Sequence, residues 1–378
     1  MKINMRLVVW LIIIPFLSLW GEVPEEETHS CSTFMLKRDS TLIVGHNLDK
    51  GKHAHGVVVV NKRGMQKQCR SWTELAYNQS IPNPPMQWTS QYGSITFNRF
   101  CRDFPDGGMN EARLFIVEMS LAGTSFPQDQ SKPRIFMCLW MQYVLDSFNS
   151  IEQVVQSAHD LTIEGWSWHF FTVDRNGNAA AIEFLDGKVV VHQKDELPIP
   201  VLANTVYDEE LKLIKEYEGF GGTKIIDLNN DQMPIFNYGA KMINDFEFSQ
   251  TPAIDYGFEM LNKFSWSGTQ WSYICDLKAL KIYFKTKPSP EIKTLDFGAF
   301  DFSCQTPVKM LDIHAFFSGP VEQFFHDYSL EYNLGCVKNT FIVSNYESVF
   351  TSHGSTLEEA VSNFGRYSES TKCTDNDR

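Results

Sequence analysis

The sequence predicts a layered α+β domain, and three observations carry the prediction. Over 168–192 the chain reads as apolar runs HFFTVD, AAAIEFL and KVVVH, joined at Asn176-Gly177 and Asp186-Gly187. Those residue pairs suit the tight turns of an antiparallel meander. Helical windows with one apolar face (Ile151, Val154, Val155 and Ala158, then about 234–246 and 252–264) alternate along the chain with such strands. The 29 Phe, 9 Trp and 13 Tyr, within a hydrophobic share of 43%, are enough to fill a large core. Helices inserted between antiparallel sheet segments, with no repeat of fixed period, point to layers of sheet and helix.

In chain order, CSTFMLKRDSTLIVGHNLD (31–49) reads as a hairpin: a strand over 32–36, a polar turn at 37–40 and a strand over 41–45. A four-residue turn pairs Leu36 with Thr41 and sets Cys31 opposite His46, with Asn47 and Asp49 just beyond. VVVV at 57–60 is a buried strand, 78–90 a Pro/Asn-rich loop, and GSITF at 93–97 another strand. DGGMNE (106–111) reads as a tight turn leading into the apolar strand LFIVEMSL. Residues 134–148 form a buried helix, and Ser150 with Gln153 has the spacing of a capping box for the next. A short strand ends at Asn204. A helix follows over about 207–217, where Asp208, Glu209 and Glu210 read as a solvated start. Helices at 234–246 and 252–264, the second opened by Pro252, lead to a hairpin of TQWSYICDL and KIYFKT. The expected organisation is one domain over 31–367 with a polar, frayed tail at 368–378.

The ends and the charge bound the function class. Lys2 and Arg6 precede an apolar run at 7–20, the pattern of an export signal over 1–21, with a retained anchor as the alternative. Residues 22–30 are acidic and read as a short pro-segment, so the expected location is secreted or periplasmic. A formal charge of −13 without a Lys/Arg cluster argues against nucleic acid and against a stable membrane partner. Eight cysteines in an exported chain suggest disulfides, and Cys138 inside IFMCLWMQYVL reads as a buried free thiol. No CxxC pair and no HExxH occurs, so no metal and no cofactor is expected.

The hairpin at 31–49 is where residues become chemistry. A thiol flanked by an imidazole and a carboxylate is a candidate nucleophile. If Cys31 becomes the first residue, its own α-amine is a candidate base, with an ordinary pKa of roughly 7.7–8.0. The plainer reading of Cys31 is a disulfide partner near a chain end.

At these residues the chain resembles the choloylglycine hydrolase and penicillin V acylase family of N-terminal-nucleophile hydrolases, in its linear-amide C–N hydrolase branch. The landmarks are Cys31, GHNLD (45–49), GGMNE (107–111), the 168–192 meander, VLAN (201–204) and TQWSYICDLKALKIYFKT (269–286), in the family's order. The resemblance implies a four-layer αββα sandwich of two antiparallel sheets. It implies hydrolysis of a linear, non-peptide amide through a thioester on Cys31 as the mature N-terminus. It assigns Asp49 to orient the amine, and Asn204 and Asn110 to the oxyanion. A small-molecule acyl amide would be the substrate, without a cofactor.

Two positions depart from the family pattern. His46 stands where members carry Arg or Lys, and Asn237 in FNY (236–238) stands nearest an expected Arg. A protonated His46 would favour the Cys31 thiolate only at low pH. The departures favour one alternative, an impaired relative that binds acylated amines or lipids; an acyltransferase on the same fold is a second. A papain-like protease is disfavoured because no CGxCW-like segment surrounds any Cys. Bile-salt amides, phenoxyacyl penicillins and N-acyl amides all remain as substrates, and a homo-oligomer stays open.

Overall fold

The structure is a computed structural model that describes residues 31–374 apart from 51, 53, 54 and 231. The export signal and pro-segment expected over 1–30 lie outside the described residues, as do residues 375–378. Two large sheets make the centre. The first runs Val201–Leu202, Ser32–Arg38, Thr41–Asp49, Thr269–Asp276, Lys281–Thr286, Lys293–Asp296, Gly319–Pro320. It is antiparallel except at its far edge, where Lys293 pairs with Gly319 in parallel. The second, nine-stranded sheet runs from Lys188–Gln193 through the rest of the predicted meander to Phe115–Ser120, Gly107–Asn110, Ser94–Asn98, Val57–Asn61, Lys309–Asp312 and His326–Asp327.

Helices Ile235–Phe246 and Ala253–Phe264 cover the first sheet: Phe264 meets Phe34 edge-on, and Asn47 donates to the Leu261 carbonyl at 2.8 Å. Helices Met137–Ser147 and Ile151–Asp160 cover the second, where Trp140 packs edge-on against Phe170. Both strand faces are therefore apolar. One core cluster joins Phe34, Phe97, Val117 and Tyr273, and another joins Trp72, Trp140, Trp166 and Phe170. This is the four-layer αββα sandwich.

Several expectations need correction. The first hairpin turns on two residues, Asp39 and Ser40, with Asp39 at φ 52°, so Arg38 pairs with Thr41. That shifts the ladder by two residues: Thr33, not Cys31, pairs with His46. The even shift keeps the faces unchanged. Gly107–Asn110 is a strand, not a turn; a Cβ on Gly108 would lie 2.4 Å from the Ile95 carbonyl, which is why glycine stands there. The helix expected from 134 begins at Met137, because Arg134–Phe136 pairs in parallel with Thr162–Glu164. The described part of the tail, 368–374, is anchored, not frayed: the Ser368 hydroxyl bonds Asp103 at 2.8 Å, Lys372–Cys373 pairs with Met65 and Gln66, and Cys304 is disulfide-bonded to Cys373. Glu210, read as solvated, is buried.

Candidate active site around Cys31

Cys31 precedes the Ser32–Arg38 strand, and only 3% of its surface is exposed. The backbone N–H of Asp49 donates to its Sγ at 3.4 Å, and the thiol lies 3.8 Å from the Asp49 carbonyl. The hairpin therefore does bring Cys31 and Asp49 together, through the Asp49 backbone. On the other flank, Thr33 pairs with Leu202 and Phe34 with Val201, so the chain beyond Leu202 leads Asn204 toward the Cys31 end of the Ser32–Arg38 strand. The Asn204 Nδ2 donates to the Ser120 carbonyl at 2.6 Å, which ties it to the second sheet. One Nδ2 hydrogen is left for another acceptor. Its Oδ1, the Ser32 Oγ and the Tyr273 hydroxyl are buried without a partner among the described residues.

Electrostatics here is dominated by burial. Burial pushes the Cys31 thiol well above its ordinary value, and the carboxylates of Glu118 and Asp49 push the same way. The Asp49 N–H and the Arg99 guanidinium oppose them. Burial also raises the Asp49 carboxyl to about 7, with the nearby polar groups of Thr269 and Trp266 pulling the other way; neither carboxylate oxygen has a hydrogen-bond partner among the described residues. An attached α-ammonium at Cys31 would be the natural counter-charge.

His46 sits two residues along the ladder from the position opposite Cys31, with its ring 5.3 Å from that of Tyr273. Burial first, and the Arg99 charge second, lower it to about 3, with the Ser32 backbone pulling the other way. So lowered, it supplies no positive charge beside the thiol near neutral pH. The fixed cation comes instead from the second sheet. Arg99, just past Ser94–Asn98, holds Asp106 at 2.7 Å and Glu118 at 3.2 Å, and its guanidinium lies 5.3 Å from the Trp168 ring. Its charge reaches both Cys31 and His46.

Asn110 does not fit its expected role. Its Nδ2 donates to the carbonyls of Leu145 at 2.8 Å and Phe148 at 2.9 Å, while its Oδ1 accepts from the Leu114 N–H at 2.9 Å. Both hydrogens are spent on fastening the end of Met137–Ser147, so none is left for an oxyanion. Asn237 is buried in helix Ile235–Phe246 and contacts the Met233 sulfur at 3.5 Å. None of its hydrogen bonds among the described residues reaches Cys31, Asp49 or Asn204. Arg99 and Glu118 were missed by sequence reading. Glu118 did leave a signal, as a single acid inside the apolar run LFIVEMSL.

Comparison with known proteins identifies the family and the fold. The sequence profile of the linear amide C-N hydrolases, choloylglycine hydrolase family, matches residues 31–244 and so begins at Cys31. A penicillin V acylase of Pectobacterium atrosepticum is 28% identical over 165 residues, 38% of this chain and 43% of that enzyme. The chain thus aligns with less than half the length of that relative. The structure of penicillin V acylase from Agrobacterium tumefaciens superposes with a TM-score of 0.67 at 25% identity, covering 79% of this chain and 98% of that one. A mutant of conjugated bile acid hydrolase from Clostridium perfringens shares the fold, with a TM-score of 0.61 at 16% identity over 77% of this chain and 98% of that one. With its profile match over more than half its length and its sandwich built around Cys31, the chain belongs to the choloylglycine hydrolase family of linear amide C–N hydrolases.

Proposed function

We propose that this chain is an exported cysteine amidase that loses the residues ahead of Cys31 and hydrolyses a linear acyl amide through a thioester. The observation that supports it is the position of Cys31, with the Asp49 N–H on its sulfur and the strand that leads to Asn204 paired beside it. In the mature chain the α-amine takes the thiol proton and Asp49 holds the resulting ammonium. The thiolate forms a bond to the acyl carbon, and the second Asn204 hydrogen meets the oxyanion. As the C–N bond breaks, the ammonium gives its proton to the leaving amine. Water, losing a proton to the freed amine, then attacks the thioester, and acid and thiol are released.

The substrate class is an acyl amide of the penicillin V, bile-salt or N-acyl amine type. The test joins intact mass of the protein from its native host with turnover of phenoxyacetyl, bile-acyl and fatty-acyl amides. Protein starting at Cys31, amine release, and a hydroxylamine-sensitive acyl adduct lost in Cys31→Ala support the reading. Full activity in a chain that still carries residues 22–30 overturns it. Tight binding of every amide without turnover supports the acyl-amide binder instead.

A further inference from the structure

Between the strand end at Leu202 and the helix start at Tyr207, the segment that carries Asn204 has left the sheet ladder. Side chains of the second sheet hold it in place. The His169 Nε2 lies 2.7 Å from the Ala203 carbonyl, one residue before Asn204. The His169 Nδ1 lies 3.2 Å from Glu183 Oε1, and that same oxygen accepts the Tyr207 N–H at 3.0 Å. Glu183 Oε2 meets the His192 Nε2 at 3.3 Å. His169 and Glu183 are fully buried and His192 nearly so.

The Ala203 carbonyl can only accept, and so can an ionised Glu183. The His169 Nε2 therefore donates to Ala203, its Nδ1 faces Glu183, and the carboxylate is flanked by two imidazoles. Such a bridge is stiff, because breaking either link strands a buried polar group. It fastens the segment on both sides of Asn204, whose own amide, among the described residues, bonds the Ser120 carbonyl alone.

We propose that His169, supported by Glu183 and His192, is the positioning residue that aims Asn204 at the oxyanion. The inference rests on the reading of Asn204 as an oxyanion donor. A donor displaced by about 1 Å forfeits up to roughly 10²-fold in rate, and the loss falls on kcat because the charge develops only in the transition state.

The experiment is a double-mutant cycle of His169→Asn with Asn204→Ala, on the mature enzyme and one acyl amide, with melting curves on every variant. His169→Asn alone is expected to lower kcat about 10–10²-fold with KM within a factor of about two. In the Asn204→Ala background the same change should cost less than about threefold, because the group it aims has gone. If His169→Asn does not fold, Glu183→Gln replaces it in the cycle, with the same non-additivity expected. Full additivity, or a change in KM alone, overturns the positioning role and leaves the Asn204 reading standing. An Asn204→Ala variant with unchanged kcat overturns both.

Discussion

The peptide N–H of Asp49 points at the sulfur of Cys31 from 3.4 Å, so the proposed nucleophile and the carboxylate meant to orient its amine are coupled through one residue's backbone. Whatever moves Asp49 moves the thiol. With residues still attached ahead of Cys31 there is no α-amine to act as base. Burial then holds the thiol well above its ordinary value.

That state predicts a latent precursor. Iodoacetamide should label Cys31 on the order of 10²-fold more slowly at pH 7 in a chain keeping residues 22–30 than in the mature protein, since only the thiolate reacts. Mass spectrometry of the labelled peptide over time measures both rates. Equal rates would mean that the amine does not activate the thiol.

Asp49 supplies a stability signature of the same state. An acid raised to about 7 binds its proton more tightly folded than unfolded. Its contribution is present below the unfolded value near 4 and is lost as pH climbs through about 7. For an uncleaved Cys31→Ala chain, the loss between pH 4 and 8 should be on the order of 4 kcal/mol at about 1.36 kcal/mol per pH unit. Urea midpoints against pH measure it, and the Asp49→Asn variant should lack this slope.

Two asparagines should separate cleanly. Asn204→Ala should lower kcat by about 10²–10³ and leave the melting temperature nearly unchanged. Asn110→Ala strands the carbonyls of Leu145 and Phe148, so it should cost about 3 kcal/mol of stability while kcat well below the melting temperature persists. Kinetics and thermal melts on the two variants decide. A catalytic defect in well-folded Asn110→Ala would return it to the site.

His46 should be silent in the pH–rate profile. A ring lowered to about 3 carries no charge from pH 5 to 9, so profiles of wild type and His46→Gln should coincide in shape there. Its signature lies in stability instead. A His whose folded value is depressed contributes above its unfolded value near 6.5, and that contribution is lost as pH falls toward about 3. A shift in the alkaline limb of the rate profile would restore the charged imidazole.

Most of the sandwich was legible in the chain because its strands are long and its turns carry strong local chemistry. Asn176-Gly177 and Asp186-Gly187 admit the left-handed backbone their tight turns need, and Gly177 and Gly187 have φ of 75° and 70°. The first hairpin offered no such pair. Lys37, Arg38, Asp39 and Ser40 are all polar, and only tertiary pairing shows that two of them, not four, make the turn. Gly107-Gly108 invited a turn because the demand for glycine comes from Ile95 on the neighbouring strand. Cys31, Asp49 and Asn204 could be put forward from the sequence because each lies at or just beyond a strand end next to a motif. The Arg99–Asp106–Glu118 cluster was not, because its members meet only when separate strands of the second sheet lie side by side.

The strand that carries Asp49 pairs along most of its length with Thr269–Asp276, a partner more than two hundred residues later in the chain. Beyond that, the Thr340 hydroxyl donates to the Arg99 carbonyl at 2.6 Å, and the Lys50 ammonium lies 2.7 Å from the Ser344 hydroxyl. At roughly 5–20 residues per second, the first hairpin is made some tens of seconds before the elements that enclose it. Contacts so distant along the chain also fold slowly. The order of manufacture therefore acts as a timer: the surroundings of the thiol are complete only when nearly all of these late elements exist, and a truncated product would carry the proposed nucleophile without them.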